Sequence, residues 1–387
     1  VITRGPSGTL GFESWSARLG ACIAALAISA CNAGDPLPPA PSDVASAAQQ
    51  QRTFVEAMKP QRAGRPVIAI LALNDATETT DLLLPHAVLE RADVAQVIVV
   101  APRAGAVRLY PTLQVQAEMD FAAFERAFPS GADYVIVPAM EPSDDAEVAT
   151  WLRGQHERGT RVIGVCVGAL VVARAGLLDG RHYVSHWYYQ GDVSKKHPGA
   201  TFVPHQRYVV DRGVATTTGI TASVPMTIAL VEAIAGAERA KAVAEELGVA
   251  AWTPAHDSTR FGLNGERRWA YVVDKLAFWR HEQRAIDVRD GTDDIALAFA
   301  ADAWSRTGLV KVQAQRATPT VRLRSGLMLA AAPVATDVPR VLLTPGLKPA
   351  QQLDRTLCEI DARFGARRRD RVEQELEYPR SAAAPCG

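Results

Sequence analysis

Apolar residues fall in two kinds of run along this chain. Val67 to Leu73, Gln96 to Ala101, Tyr134 to Pro138 and Arg161 to Val165 are short and almost continuously apolar, the pattern of strands buried on both faces. Between them apolar positions recur at helical spacing. Asp81 to Arg91 turns Leu82, Leu83, Val88 and Leu89 inward, and Asp144 to Arg158 reads as a helix with a polar face. Strands and helices alternating in this order predict an α/β fold, a parallel sheet sandwiched by helices. Residues 219–247 predict two more helices and close this first domain near Gly248. Ligands of such sheets bind outside the C-terminal strand ends, so chemistry is sought just after the strands.

After the fourth run comes Gly164-Val165-Cys166-Val167-Gly168, followed by the apolar helix beginning Ala169-Leu170-Val171. A reactive side chain with glycines two residues away on both sides has the spacing of a nucleophile elbow, a strained strand-to-helix turn. Gly164 and Gly168 let backbone pass where a β-carbon would clash. The turn puts the sulfur at a helix N-terminus, where free N–H groups favour a thiolate and a developing oxyanion. The bland alternative is a small cysteine packed between strand and helix.

The pattern also repeats. Asp81-Leu82-Leu83-Leu84 opens one helix and Asp294-Ile295-Ala296-Leu297 another. Val107-Arg108-Leu109 is echoed by Val321-Arg322-Leu323, and Tyr134-Val135-Ile136-Val137-Pro138 by Val341-Leu342-Leu343-Thr344-Pro345. Pro142 begins a helix that ends before Gly159, and Pro349 one that ends before Gly365. The echo then stops, because Ala366-Arg367-Arg368-Arg369-Asp370 stands where the first copy has its Cys166 strand. Residues 285–378 are therefore expected to be a degenerate half-repeat without an elbow, joined through a helical connector at 251–284 and followed by a tail at 379–387.

The N-terminal stretch reads differently. Arg4 and Arg18 precede an apolar run, Leu19 to Ala30, shorter than a bilayer-spanning helix. Residues 1–30 are expected to be a secretory signal, and Ile28-Ser29-Ala30-Cys31 resembles a lipobox, which implies cleavage before Cys31 and lipidation of its sulfur. The alternatives are a signal cut elsewhere or an upstream extension translated from a wrong start. Residues 31–65, with Asp35-Pro36-Leu37-Pro38-Pro39-Ala40-Pro41-Ser42 and then Gln49 to Gln51, are expected to be a flexible tether. This predicts an exported protein, held at a bacterial membrane, with the outer membrane favoured, by a lipid anchor only. In an oxidising compartment Cys358 and Cys386 are free to join. The five cysteines have no metal-ligand spacing, so no metal is expected. Lys plus Arg and Asp plus Glu number 42 each, a balance that argues against a nucleic-acid surface.

Cys166-Val167-Gly168-Ala169, then Ala175-Gly176-Leu177-Leu178-Asp179-Gly180-Arg181, then Ser185-His186-Trp187, resembles the ThiJ/PfpI superfamily. The branch is that of the amidotransferase-like domain of AraC-type regulators and isonitrile hydratases, whose usual pattern is Cys-Thr-Gly-Ala, Ala-Gly-Leu-Leu-Asp-Gly-Arg and Thr-His-Trp. The resemblance runs from residue 67 to 248 and takes in Thr217-Thr218-Gly219-Ile220-Thr221-Ala222. It implies a flavodoxin-like fold and a site in which an acid from the first strand-helix turn, here Asp81, meets the cysteine. Glu78 is the competing carboxylate. His186 is the imidazole partner it implies, with His182, His197 and His205 as competitors. Val167 and Ala139 mark the backbone N–H groups of an oxyanion site. Three departures stand out: Val167 for a Thr or His, Pro138-Ala139-Met140 for Pro-Gly-Gly, and Pro225 for an Asp.

Two functions follow as expectations. One is a cysteine-dependent enzyme acting, without a cofactor, on a small carbonyl, amide or isonitrile, with Cys166 as nucleophile, Asp81 tuning the sulfur and His186 as acid or base. The other is a ligand-binding or redox-sensing module with a degenerate site. Pairing as a homodimer, or as an internal pseudo-dimer in which residues 285–378 cover the Cys166 pocket, is expected with either.

Overall fold

The computed structural model describes residues 44–262, 282–379 and 386. The signal and lipobox expectations at 1–31, the Pro-rich run at 36–42, and Trp269, Phe278 and Trp279 lie outside these residues.

The chain enters the fold as α1 (Val44–Ala57). β1 (Val67–Leu71) leads through β2 (Thr77–Glu78) into α2 (Thr79–Ala92), then β3 (Gln96–Ala101). An arm of β4 (Gly105–Tyr110) and β5 (Gln114–Ala117) precedes β6 (Met119–Asp120) and α3 (Phe121–Ala127). Next come β7 (Tyr134–Val137), α4 (Ala146–Glu157), β8 (Arg161–Gly164) and α5 (Gly168–Arg174). β9 (His182–Tyr183), α6 (Gln190–Lys196) and β10 (Thr201–Phe202) form an excursion before β11 (Tyr208–Asp211), β12 (Val214–Thr217), α7 (Ser223–Ala235) and α8 (Ala237–Leu247). The last part holds β13 (Glu282–Asp287), α9 (Asp294–Arg306), β14 (Val310–Gln315), β15 (Thr320–Arg322), β16 (Met328–Ala330), α10 (Gln351–Phe364) and α11 (Ala366–Leu376).

The central sheet has the order β11-β12-β8-β7-β1-β3-β6, parallel except for the antiparallel edge strand β11. This is the doubly covered sheet the apolar runs require, because Val67–Leu71 and Tyr134–Val137 have no solvent face. One face carries a core of Ile68, Ile70, Leu83, Val88, Ile136 and Ile163 under α1, α2 and α7. The other packs Leu71, Val135, Val162, Trp151 and Leu170 under α3, α4 and α5.

Two expectations need correction. Residues 31–65 are not a tether throughout, since Val44–Ala57 is a helix. Phe54 and Met58 are buried beneath it, Phe54 stacks edge-on against Tyr208, and the Met58 carbonyl accepts from the Tyr134 hydroxyl at 2.6 Å. The Gln-rich composition concealed an apolar stripe on one side of that helix. The helical connector expected at 251–284 has, over its described residues 251–262 and 282–284, one 3-10 turn, Ser258–Arg260, and the first residues of strand β13, and is otherwise irregular.

The last third is laid against the first by near two-fold geometry. Val107 pairs with Val115 and Arg108 with Gln114 in the β4–β5 ladder, while Val321 pairs with Leu329 and Arg322 with Met328 in β15–β16. A single shift of 214 residues (107 to 321, 115 to 329) carries one ladder onto the other. β16 then pairs antiparallel with β5 through Leu329 and Val115, two positions related by that same shift. β13 and β14 lie parallel as β1 and β3 do, and α9 packs on α2. Arg91 in the last turn of α2 pairs with Asp293, the N-cap of α9, and Arg306 at the end of α9 pairs with Glu78, the N-cap of α2.

The sequence equated the helix before Gly365 with the one before Gly159. Packing gives a different match. α10 lies on α9 and α11 as α7 lies on α2 and α8, whereas α4 packs on α5 across the sheet. Gly236 joins α7 to α8 with φ 86° and ψ 168°, and Gly365 joins α10 to α11 with φ 83° and ψ 164°. The caps that end the second helix of each pair, Gly248 and Glu377, are both left-handed and separated by the same 129 residues as the two joining glycines (236 to 365, 248 to 377). The last third thus has counterparts of the strands, arm and closing helix pair, while no counterpart of the elbow strand occurs among its described residues.

Candidate functional site

Cys166 follows β8 with φ 56°, the left-handed backbone of an elbow, and α5 starts two residues later. Steric room requires glycine at 168 and favours it at 164. A β-carbon on Gly168 would collide with the Val137 carbonyl oxygen, and one on Gly164 would lie 3.0 Å from the Ala169 nitrogen. The turn is tied down from β12: the Cys166 N–H donates to Thr217 Oγ1 at 3.1 Å, and the Ser185 hydroxyl donates to the Cys166 carbonyl at 3.3 Å.

Asp81 sits in the first turn of α2, wholly buried. Its Oδ2 accepts the Ala139 N–H at 3.0 Å and its Oδ1 has no hydrogen-bond partner. Ala139 therefore holds the carboxyl and is not a spare oxyanion donor, which corrects the expectation for that residue. Burial drives the Asp81 carboxyl well above the usual range, and neighbouring Glu78 adds to the effect. Glu78, the competing carboxylate, is the N-cap: its Oε2 accepts the Asp81 N–H at 2.6 Å and the Thr80 hydroxyl at 2.8 Å.

The Cys166 thiol is 3% exposed. Burial pushes it well above an ordinary thiol, and the carboxyls of Asp81, Glu78 and Glu377 push it further. The thiolate that the helix N-terminus was expected to favour is instead an enclosed thiol.

His186 lies on the same side, but both its nitrogens are taken. Nδ1 accepts the Tyr188 N–H at 3.2 Å, so Nε2 carries the proton and donates to the Glu375 carbonyl at 3.0 Å. Burial lowers its pKa to about 4. Of the competitors, His182 is exposed and hydrogen-bonded to the Asp211 carboxyl at 3.0 Å, and His197 caps α6. His205 is buried in the loop that meets His256.

Several residues of this site come from the far end of the chain, where no motif marked them. Arg306 places its guanidinium 2.6 Å from Glu78 Oε1 and 2.7 Å from Asp302 Oδ2, with Glu375 Oε2 at 3.9 Å. Four carboxyls (Glu78, Asp81, Asp302 and Glu375) thus face one guanidinium, and burial raises Asp302 to about 7. The end of α11 closes over the elbow. The Trp187 indole donates to the Gln374 carbonyl at 2.9 Å, and the Thr221 hydroxyl to that of Glu377 at 2.8 Å. The Glu377 carboxyl accepts the Gly219 N–H and, at 3.3 Å, the Trp187 N–H. Outside this closure stand the exposed rings of Tyr110, Tyr188 and Tyr189, and both Cys166 and Tyr110 act electrostatically on the Tyr189 phenol.

Residues 67–233 match the model of the DJ-1/PfpI family. Among curated proteins the chain is similar to the HTH-type transcriptional regulator GlxA of Rhizobium meliloti, 30% identical over 188 residues, covering 48% of this chain and 56% of that protein. It is also similar to the isonitrile hydratase of Pseudomonas putida, 32% identical over 127 residues, covering 33% of this chain and 52% of that one. The chain thus spans about half the length of these relatives. Among solved structures, a ThiJ/PfpI family protein from Pseudomonas syringae aligns with a TM-score of 0.47 at 22% identity, over 56% of this chain and 88% of that one. Drosophila melanogaster DJ-1beta aligns with a TM-score of 0.44 at 20% identity, over 48% and 100%. The elbow at Cys166, the acid at Asp81 and the covered parallel sheet lie inside the matched span, and residues 67–233 of this chain are a DJ-1/PfpI family domain.

Proposed function

We propose that this protein is a small-molecule-binding module built on the DJ-1/PfpI domain, with its elbow thiol kept protonated and enclosed until a ligand is admitted. One observation carries this reading: His186 has no free nitrogen, because Tyr188 N–H and the Glu375 carbonyl hold both. An imidazole so held cannot take the proton of Cys166, and the surrounding carboxyls oppose a thiolate. The test is a panel of small aldehydes, amides and isonitriles offered to the full chain. No turnover above a Cys166→Ser background is expected, and iodoacetamide should alkylate Cys166 at pH 7 at least about tenfold more slowly than a free model thiol. Fast alkylation or Cys166-dependent turnover would overturn the reading.

A cysteine-dependent enzyme is the second reading, favoured by the unpartnered Oδ1 of Asp81 beside the strained elbow. In it the thiol proton passes to Asp81, the sulfur attacks a carbonyl, amide or isonitrile carbon, and Val167 N–H meets the developing negative charge. Turnover lost in both Cys166→Ser and Asp81→Asn supports it.

The shared register of the two arms and the matching helix pairs support the view that residues 285–378 are a pared second copy standing in for a dimer partner. Sedimentation as a monomer is the expected result, and a stable homodimer would count against it. The Cys358–Cys386 disulfide supports export to an oxidising compartment. Lipid anchoring at Cys31 predicts incorporation of labelled palmitate that Cys31→Ala abolishes.

A further inference from the structure

Glu377 ends α11 in the left-handed region, at φ 50° and ψ 42°. For a residue with a β-carbon this conformation costs roughly 1 kcal/mol or more, and glycine adopts it freely. The cap of the sister helix, Gly248, is a glycine. Glutamate at 377 is thus the wrong residue for the cap, and its side chain has to supply the reason it is there.

That side chain is buried and sits in a built cradle. One carboxyl oxygen accepts the N–H of Gly219 and the other that of Trp187 at 3.3 Å. His256 Nε2 lies 4.0 Å from the same oxygen that Trp187 serves. The His256 side chain is 3% exposed, its Nε2 has no hydrogen-bond partner, and its ring stacks on Phe261 at 5.3 Å with 3° between the planes. Gly219 has a negative φ, so its lack of a side chain serves space and not backbone freedom: a β-carbon there would fall 2.6 Å from the Glu377 β-carbon. Two converging N–H donors, an imidazole nitrogen and room made by a glycine form a receptor for a planar carboxylate. Cys166 is within electrostatic reach of the occupant.

We propose that the cradle of Gly219, Trp187 and His256 is a carboxylate-binding subsite beside Cys166, occupied here by the chain's own Glu377, and that a small-molecule carboxylate takes this place when the last turn of α11 withdraws. The proposal rests on the small-molecule-binding reading above and names its ligand class. Glu377 is then an internal competitor: a ligand acid enters only by displacing it, and the same displacement lifts the α11 carbonyls off His186 and Trp187.

Glu377→Gly is the informative variant, because it removes the carboxyl while giving the left-handed cap its natural residue. The full chain carrying it is compared with wild type in sodium acetate and in sodium chloride at equal ionic strength. Acetate at ten times its Kd is expected to raise the Tm of Glu377→Gly by about 3 °C over chloride. Wild type should not respond. Cys166 alkylation should be about tenfold faster in the variant and be slowed again by acetate. Adding Gly219→Ala, which fills the cradle, should abolish the acetate response. A folded Glu377→Gly that treats acetate and chloride alike overturns the proposal. If that variant folds only in acetate, the proposal stands. If it folds in neither salt, Glu377→Gln at pH 9, where the wild-type carboxyl is ionised, decides: an amide presents an NH2 to one of two N–H donors, so a variant as stable and as slowly alkylated as wild type overturns the proposal, and a less stable, faster-reacting one supports it. Catalytic turnover by Glu377→Gly would sink the binding-module reading and leave the cradle standing, whereas loss of the acetate response sinks the cradle alone.

Discussion

Arg306 and Glu78, 228 residues apart, form an ion pair at 2.6 Å in which the last residue of one helix meets the N-cap of another. The guanidinium also offsets the carboxyls of Asp302 and of Glu375, which Arg371 pairs as well at 3.0 Å. Replacing it takes the countercharge from the buried carboxyls of Glu78 and Asp302. Arg306→Met is expected to lower stability by about 3–5 kcal/mol, the usual cost of breaking a buried pair from one side. Adding Asp302→Asn to that variant should recover part of the loss. Denaturant midpoints of the single and double variants check this, and additive losses would show that the two residues do not share a network.

Gly168 makes a harder prediction. A methyl group there meets the Val137 carbonyl oxygen, which is backbone in a central strand and cannot step aside. Gly168→Ala is expected to cost about 3 kcal/mol or more, or to prevent folding, through overpacking at a fixed backbone. Gly176→Ala, where a β-carbon meets nothing within 4 Å but φ is +79°, should be the milder change, at about 1–2 kcal/mol. Thermal melts of the two variants compare steric collision with backbone strain alone.

What the sequence made legible follows from range. Val67–Leu71 and Tyr134–Val137 read as central strands because each is continuously apolar over one short run, and the sharp turn at Cys166, with φ 56°, is signalled locally because its glycines are two residues away. The β4–β5 arm escapes because Gly105–Tyr110 alternates buried and exposed positions over six residues and so lacks the continuous apolar run of a central strand. α1 was hidden by its glutamines. The hydrogen bonds of His186 are not legible in the sequence, since only three-dimensional packing brings the Glu375 carbonyl to its Nε2. Arg306, Glu375 and Glu377 carry no motif; their sole signal was the repeat that brings the last third back onto the first.

The pH dependence of stability follows from the buried groups. Burial holds Asp302 at about 7 and Glu377 at about 8, above the unfolded carboxyl range near 4. Their raised pKa values mean the native state binds protons the unfolded chain has lost, so this stabilisation is complete below about pH 4 and disappears as pH rises through 7 and 8. His86, His186 and His256 act the other way: burial lowers each to about 4, so their contribution is present above about pH 6.5 and is lost on acidification toward 4. The two sets oppose one another below 6.5, and only the carboxyls titrate above it. Tm is therefore expected to fall between pH 6.5 and 8.5, and Asp302→Asn should flatten the lower part of that slope. A Tm that rises over this interval would show that these acids are ionised in the native state.

Thr217 offers a test of what keeps the elbow bent. Its Oγ1 accepts the Cys166 N–H at 3.1 Å and donates to the Thr218 carbonyl at 3.0 Å, so one hydroxyl satisfies two backbone groups. Thr217→Val keeps the shape and removes both bonds, leaving a buried N–H beside a left-handed cysteine with no acceptor. The expected loss is about 1–3 kcal/mol. Thr217→Ser retains the hydroxyl and should lose much less, about 1 kcal/mol for the missing methyl. If the hydroxyl fixes the elbow, the valine variant will also expose the thiol, and its iodoacetamide rate should rise while that of the serine variant stays at the wild-type value. Equal stability loss in both, with no change in thiol reactivity, would mean that Thr217 acts through packing and that Gly164 and Gly168 hold the bend by themselves.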